Sequence, residues 1–262
     1  MKKNRILLFL FIPLLVYILL SSKILFLIFT EIVVCCALYE LYNMFLKKQK
    51  NVYFYPGLII CFIFPILVYF NFMTKVSLTA SAFIVAVSGM LIDNEKKFTE
   101  KLSLTFFGIM YIPILFSYAL KIQQFKFGGL IITYAFCSIW ACDTFAYLVG
   151  SRIGKHKFTK ISPNKSIEGV IGGFFGVLII SYIFKYFVPK IFFGTNLAIL
   201  SILLTIVAVF GDLFESKIKR DLDVKDSSTI LGGHGGFLDR FDSALFVIPF
   251  VYYYWRLVCF TN

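Results

Sequence analysis

The sequence predicts an all-α, polytopic integral membrane protein with about nine transmembrane helices. Hydrophobic residues make up 60% of the 262-residue chain and charged residues only 15%. Mean hydropathy is +0.86. The apolar residues come in continuous runs, and crossing about 30 Å of hydrocarbon takes about 20 helical residues. A water-soluble surface cannot be built from this composition. The runs also lack the period-two alternation of a β-barrel.

The candidate spans fall at roughly 6–20, 24–46, 54–72, 76–93, 102–121, 127–149, 168–188, 193–216 and 241–260. The first follows Lys2, Lys3 and Arg5 and precedes Ser21, Ser22 and Lys23. It lacks a small-x-small cleavage site and reads as a retained span rather than a signal peptide. Pro13 and Pro65 are expected to kink their helices, which membrane helices tolerate. The second span carries Glu31 and Glu40, nine residues apart and so on roughly one face. Glu31 is assigned to helix packing or a dimer contact, and Glu40 to snorkelling. The sixth span carries Asp143, whose burial costs about 2.5–3.5 kcal/mol on insertion scales, so it should face a polar cavity or a metal. After the loop 151–168, Ser162 and Pro163 start a turn and Glu168 opens the seventh span. Gly172, Gly173 and Gly176 then permit close helix packing.

The chain divides at residue 126. Residues 1–126 are spans joined by short basic connections, read as scaffold or dimer interface. Residues 127–262 are the catalytic membrane region, with cytoplasmic loops at 151–168 and 217–240. With the N-terminus inside, 19 of the 26 Lys/Arg fall on inner segments and 7 on outer ones, which orients both loops to the cytoplasm. The net charge of +12 is explained by lysines flanking spans at anionic headgroups. Nucleic acid is not an expected partner, since no soluble domain presents a basic face. The six cysteines sit in apolar spans without metal-ligand spacing and read as packing residues.

Chemistry concentrates in one polar island, Gly211–Ser243. It holds six aspartates, Glu215, five Lys/Arg and one of two histidines. Such density beside a bilayer calls for a ligand bearing metal and phosphate. Asp212, Glu215, Ser216 and Lys219 fall at i, i+3, i+4 and i+7, one helical face. Asp239 and Asp242, at i and i+3, can hold Mg²⁺ jointly with waters and phosphate oxygens, although acidic N-capping explains one of them. Between them Gly232, Gly233, Gly235 and Gly236 flank His234, a backbone able to cradle phosphate. Lys165 is placed to reach a phosphate. These residues suggest metal-assisted phosphoryl or nucleotidyl transfer between a lipid and a soluble nucleotide. No Walker A, HExxH or GxSxG motif is present.

The run Ser216 to Arg220, then Lys225 and Asp226, then His234 through Asp239 to Asp242, resembles the signature of the phosphatidate cytidylyltransferases (CDP-diacylglycerol synthases). The loop Ser162 to Gly169 resembles that family's second motif, and Asp143, Thr144, Ala146, Tyr147 and Gly150 a third. The likeness covers the C-terminal half firmly. Departures are Asn164 and Ser166 around Lys165, Ile167 where tryptophan is usual, and Gly233 where proline is common. The resemblance implies that CTP and phosphatidic acid give CDP-diacylglycerol and pyrophosphate at the inner, cytoplasmic membrane. It implies Mg²⁺, with or without a second cation such as K⁺, held by Asp212, Asp239 and Asp242, with Asp143 a weaker ligand. Lys219, Arg220 and Lys225 would neutralise phosphates, and Asp226 and His234 would orient the loop or leaving group. Ser162, Lys165, Glu168 and Arg240 would contact substrate, and a homodimer would form through the N-terminal spans. The rival readings are a CTP-dependent polyprenol kinase, another CDP-lipid synthase, and a transporter.

Overall fold

The computed structural model describes residues 16–72, 74–92, 97–159, 161–230 and 235–260. Among them the regular elements are helices, with one isolated bridge between Lys157 and Ser166. After helical residues 16–20 come α1 (Lys23–Lys47), α2 (Phe54–Tyr69), α3 (Thr74–Ile92), α4 (Phe98–Gln123), α5 (Gly128–Ile153), α6 (Ile167–Phe187), α7 (Leu197–Asp221) and α8 (Leu238–Phe260). Five of these, α1, α4, α5, α6 and α7, are long and apolar enough to cross a membrane. The helices α2 and α3 contain shorter apolar stretches. Pro13 lies outside the described residues, whereas Pro65 stays within continuous α2.

Local chemistry sets the helix ends. Ser22 caps α1 through the Leu25 N–H, Ser166 caps α6 through the Gly169 N–H, and Asn196 caps α7 through the Ala198 and Ile199 N–H groups. Pro113 brings no N–H to α4, and the helix absorbs this in one π turn, Met110–Ile114. The outward face of α6 carries Ile167, Ile171, Phe175, Ile179, Tyr182 and Tyr186, all exposed. Such a stripe is stable against lipid and not against water. The protein is an integral membrane protein.

Two close approaches position the site. A Cβ on Gly172 would stand 2.6 Å from Val149 Cβ, so α6 meets α5 almost backbone to backbone. A Cβ on Gly211 would stand 2.9 Å from Ser243 Cα, and Ser243 Oγ donates to the Ala208 carbonyl at 3.1 Å. The second contact lays the Asp212 end of α7 alongside the Asp242 end of α8. The C-terminal ends of α5 and α7 and the N-terminal ends of α6 and α8 therefore share one end of the bundle. The cysteines at 35, 36, 61, 137 and 142 are free thiols within helices, at least half hidden from solvent, as packing residues should be.

Candidate active site

The last turns of α7 carry the predicted face. Ser216 Oγ donates to Asp212 Oδ1 at 3.1 Å. Lys219 Nζ lies between Glu215 (2.6 Å) and Asp239 (2.8 Å). Glu215 is fully buried, so the ammonium offsets a carboxylate that has lost its water.

Asp239 sits at the start of α8 and gathers the island around itself. It accepts from Lys219 Nζ, the Ser227 N–H and the Gly236 N–H at 2.7 Å, and Ser227 Oγ stands 3.0 Å away with its one proton shared between Asp239 and Glu40. Gly235 makes this possible: its φ is +78°, and a Cβ there would stand 2.6 Å from Asp239 Oδ2. The capping role foreseen for one aspartate falls here, and it leaves Asp239 well occupied by protein donors.

Glu40 corrects the sequence reading. It does not snorkel. It is 1% exposed and reaches from α1 into the island. Its Oε1 accepts from Ser228 Oγ (2.6 Å) and the Phe237 N–H (3.0 Å), and its Oε2 from Ser227 Oγ (2.9 Å) and the Leu238 N–H (2.9 Å). The last two turns of α1 pack against the loop, and four donors make burial cheaper than a reach to water. Two backbone N–H groups opening α8 are thereby capped from another helix. Ion pairs Lys48–Asp223 (3.1 Å) and Lys50–Asp221 (3.5 Å) join the same regions from outside.

Asp143, Lys165 and Asp212 line a cavity of about 280 Å³ between α5, α6 and α7, together with Asn164, Ser166, Tyr147 and Val170. Lys165 Nζ stands 2.6 Å from Asp212 Oδ2. Asp242, whose carboxylate accepts from the Ser243 N–H, lies within electrostatic range of both Asp212 and Asp143. Asp143 and Asp212 thus share the cavity with Lys165, while Asp242 also feels Lys219. Among the described residues no three His, Cys, Asp or Glu close on a common point as a complete metal cage. The donor set still suits Mg²⁺, which takes one or two carboxylates and completes its shell with water and substrate phosphate.

The loop before α6 presents Lys165. The Ser162 carbonyl accepts the Lys165 N–H at 3.0 Å, closing the expected turn. Glu168 turns back to His156, meeting Nδ1 at 2.6 Å and the backbone N–H at 3.2 Å. Ser162 and Glu168 therefore shape the loop, and Asn164, Lys165 and Ser166 are its members that line the cavity. Arg220 is exposed and donates to the Val224 carbonyl at 3.4 Å. Lys225, Asp226 and Arg240 are exposed around the island. His234, with Gly232 and Gly233, lies outside the described residues.

Sequence reasoning missed Glu40, Ser227 and His156, and gave Glu215 no role of its own. Only Glu40 carried a signal, as a carboxylate inside an apolar run that needs donors from somewhere.

The family model described as the Cytidylyltransferase family matches residues 2–258. A Staphylococcus aureus (strain COL) protein named phosphatidate cytidylyltransferase is 39% identical over 245 residues, covering 88% of this chain and 90% of its own. A Bacillus subtilis (strain 168) protein of the same name is 36% identical over 229 residues, covering 83% of each. The chain belongs to the cytidylyltransferase family.

Proposed function

We propose that this protein transfers the cytidylyl group of CTP to phosphatidic acid, giving CDP-diacylglycerol and pyrophosphate. The observation that carries the reading is the cavity lined by Asp143, Asp212 and Lys165 at the polar end of apolar helices, with Asp242 beside Gly211 where α8 meets α7. The site offers a charged end for nucleotide phosphates and an apolar flank for a lipid.

In the reaction a phosphate oxygen of phosphatidic acid attacks the α-phosphorus of CTP. The bond to the β-phosphate oxygen breaks and pyrophosphate leaves with its electron pair. The attacking oxygen is already anionic at neutral pH, so no strong general base is needed. Positioning and charge neutralisation dominate. One or two of Asp143, Asp212 and Asp242 would hold Mg²⁺, which would supply charge neutralisation on the phosphates. Asp239 acts through the loop it gathers. Lys165 exchanges its pairing with Asp212 for substrate phosphate, and Lys219 keeps Glu215 and Asp239 in place. Arg220 and Lys225, both exposed, would meet the departing pyrophosphate.

The active end faces the cytoplasm in this reading, supported by the excess of Lys/Arg on that side. A homodimer through the N-terminal helices completes it, for which the exposed Ile24, Ile28 and Ile32 of α1 would be the contact face. Cross-linking of an Ile28→Cys variant in membranes tests the dimer, and a monomer under all conditions contradicts it. The activity is tested with solubilised protein, phosphatidic acid, CTP and Mg²⁺. Pyrophosphate and CDP-diacylglycerol should appear in equal amounts. Release of CDP with a newly phosphorylated lipid would replace this reading with a kinase.

A further inference from the structure

Tyr111 lies in the π turn of α4, in the half of the chain where the sequence shows no chemistry. Its ring stacks on Phe107 with centroids 5.6 Å apart and meets Phe214 of α7 at 5.2 Å and Phe246 of α8 at 6.2 Å. Phe214 adjoins Glu215, and Phe246 lies one turn beyond Asp242. The ring is thus wedged between the two helix segments that carry the carboxylates.

The hydroxyl is what needs explaining. Tyr111 is 4% exposed, and its Oη has no hydrogen-bond partner among the described residues. The charged groups acting on it are Glu215 first, then Asp242 and Asp212. Both Glu215 oxygens likewise lack a well-formed hydrogen bond among the described residues, the carboxylate meeting the Lys219 ammonium as an ion pair at 2.6 Å. Packing alone has no use for this hydroxyl. Phenylalanine would fill the same space without a buried orphan donor, and the three rings around Tyr111 are phenylalanines. The π turn, a distortion often found at functional sites, sets this side chain against Phe214 and Phe246 of the helices that carry the carboxylates.

We propose that Tyr111 is a positioning residue of the carboxylate centre, its hydroxyl donating into the Glu215–Asp242 pair when substrate and cation are bound. A neutral donor there relieves repulsion between the buried Glu215 and the partly buried Asp242 without competing for the cation, and it holds Asp242 turned toward the nucleotide phosphates. The inference rests on the cytidylyl-transfer reading.

The test compares Tyr111→Phe with Tyr134→Phe, whose hydroxyl is already bonded to Ser181 Oγ at 2.7 Å away from the site. Each purified protein is assayed for CDP-diacylglycerol and pyrophosphate and for its thermal unfolding midpoint. In Tyr111→Phe, kcat should fall about tenfold or more, the worth of one hydrogen bond to a charged group. KM for CTP should stay within about twofold, with the midpoint unchanged or raised. Tyr134→Phe should keep its kcat and lose stability. Wild-type kcat in Tyr111→Phe would overturn the proposal, as would a loss of kcat matched by a lowered midpoint. Wild-type protein that makes no CDP-diacylglycerol would overturn the activity reading, and this proposal with it.

Discussion

Glu40→Ala removes one acceptor from four donors at once. Two of these, the Phe237 and Leu238 N–H groups, belong to the backbone at the start of α8 and cannot turn elsewhere. The hydroxyls of Ser227 and Ser228 can rotate, Ser227 toward Asp239 Oδ2 at 3.0 Å. An orphaned buried donor costs about 1–3 kcal/mol, so the two backbone groups alone cost roughly 2–6 kcal/mol. The loss falls on the loop that places Asp239 and Asp242. Glu40→Gln keeps one acceptor oxygen and turns an NH₂ toward the other pair of donors, so it should be intermediate. The assay is thermal unfolding in lipid nanodiscs, paired with limited proteolysis of residues 222–238 and turnover of CTP. Stability and kcat should fall in the order wild type, Gln, Ala, with cleavage rising in the same order. Glu40→Ala with wild-type midpoint, protease resistance and turnover would refute the reasoning, because a four-donor acceptor cannot vanish from a buried site without consequence.

Other perturbations separate chemistry from architecture. Asp242→Asn should abolish transfer while leaving the unfolding midpoint close to wild type, whereas Asp239→Asn should lower both, since Asp239 holds the loop through Ser227 and Gly236; equal stability losses in the two variants would contradict this division. Lys165→Met should lower kcat about 100-fold or more, the scale of losing one preorganised phosphate contact, and steady-state kinetics over a range of CTP concentrations will show it. Gly172→Ala places a methyl 2.6 Å from Val149 Cβ and should cost about 1–3 kcal/mol as α5 and α6 part, measurable as a lowered midpoint with reduced turnover. A cysteine at Lys157 should resist an impermeant thiol reagent applied to intact cells and react once they are opened; labelling from outside would reverse the proposed orientation.

How much was legible follows from what each feature depends on. Apolar runs map onto α1 to α8 because lipid forces every backbone polar group into a local helical bond, so the pattern and the element coincide. The face Asp212, Glu215, Ser216 and Lys219 was readable for the same reason, being a matter of helical period. Glu40 was not, because its partners Ser227 and Ser228 lie 187 and 188 residues on; composition shows that a carboxylate in an apolar run needs donors and not where they are. The two roles of Asp239, cap and candidate cation ligand, ask for the same residue at the same place, and the structure shows the capping donors. Glu168 resembles a substrate contact by motif, yet the chain reversal between His156 and Ser166 hands it to His156. Tyr111 hides among 33 phenylalanines and 15 tyrosines; only Pro113 beside it hints at a disturbed helix.

The central claim is that the α-phosphorus of CTP moves to the lipid. The most direct measurement is to give purified protein phosphatidic acid and Mg²⁺ with CTP labelled at either the α- or the γ-phosphorus, then extract the lipid. The account predicts that α-label enters the lipid mole for mole with pyrophosphate released, while γ-label stays in the water phase as pyrophosphate. Recovery of γ-label in the lipid, with α-label left in aqueous CDP, would contradict it.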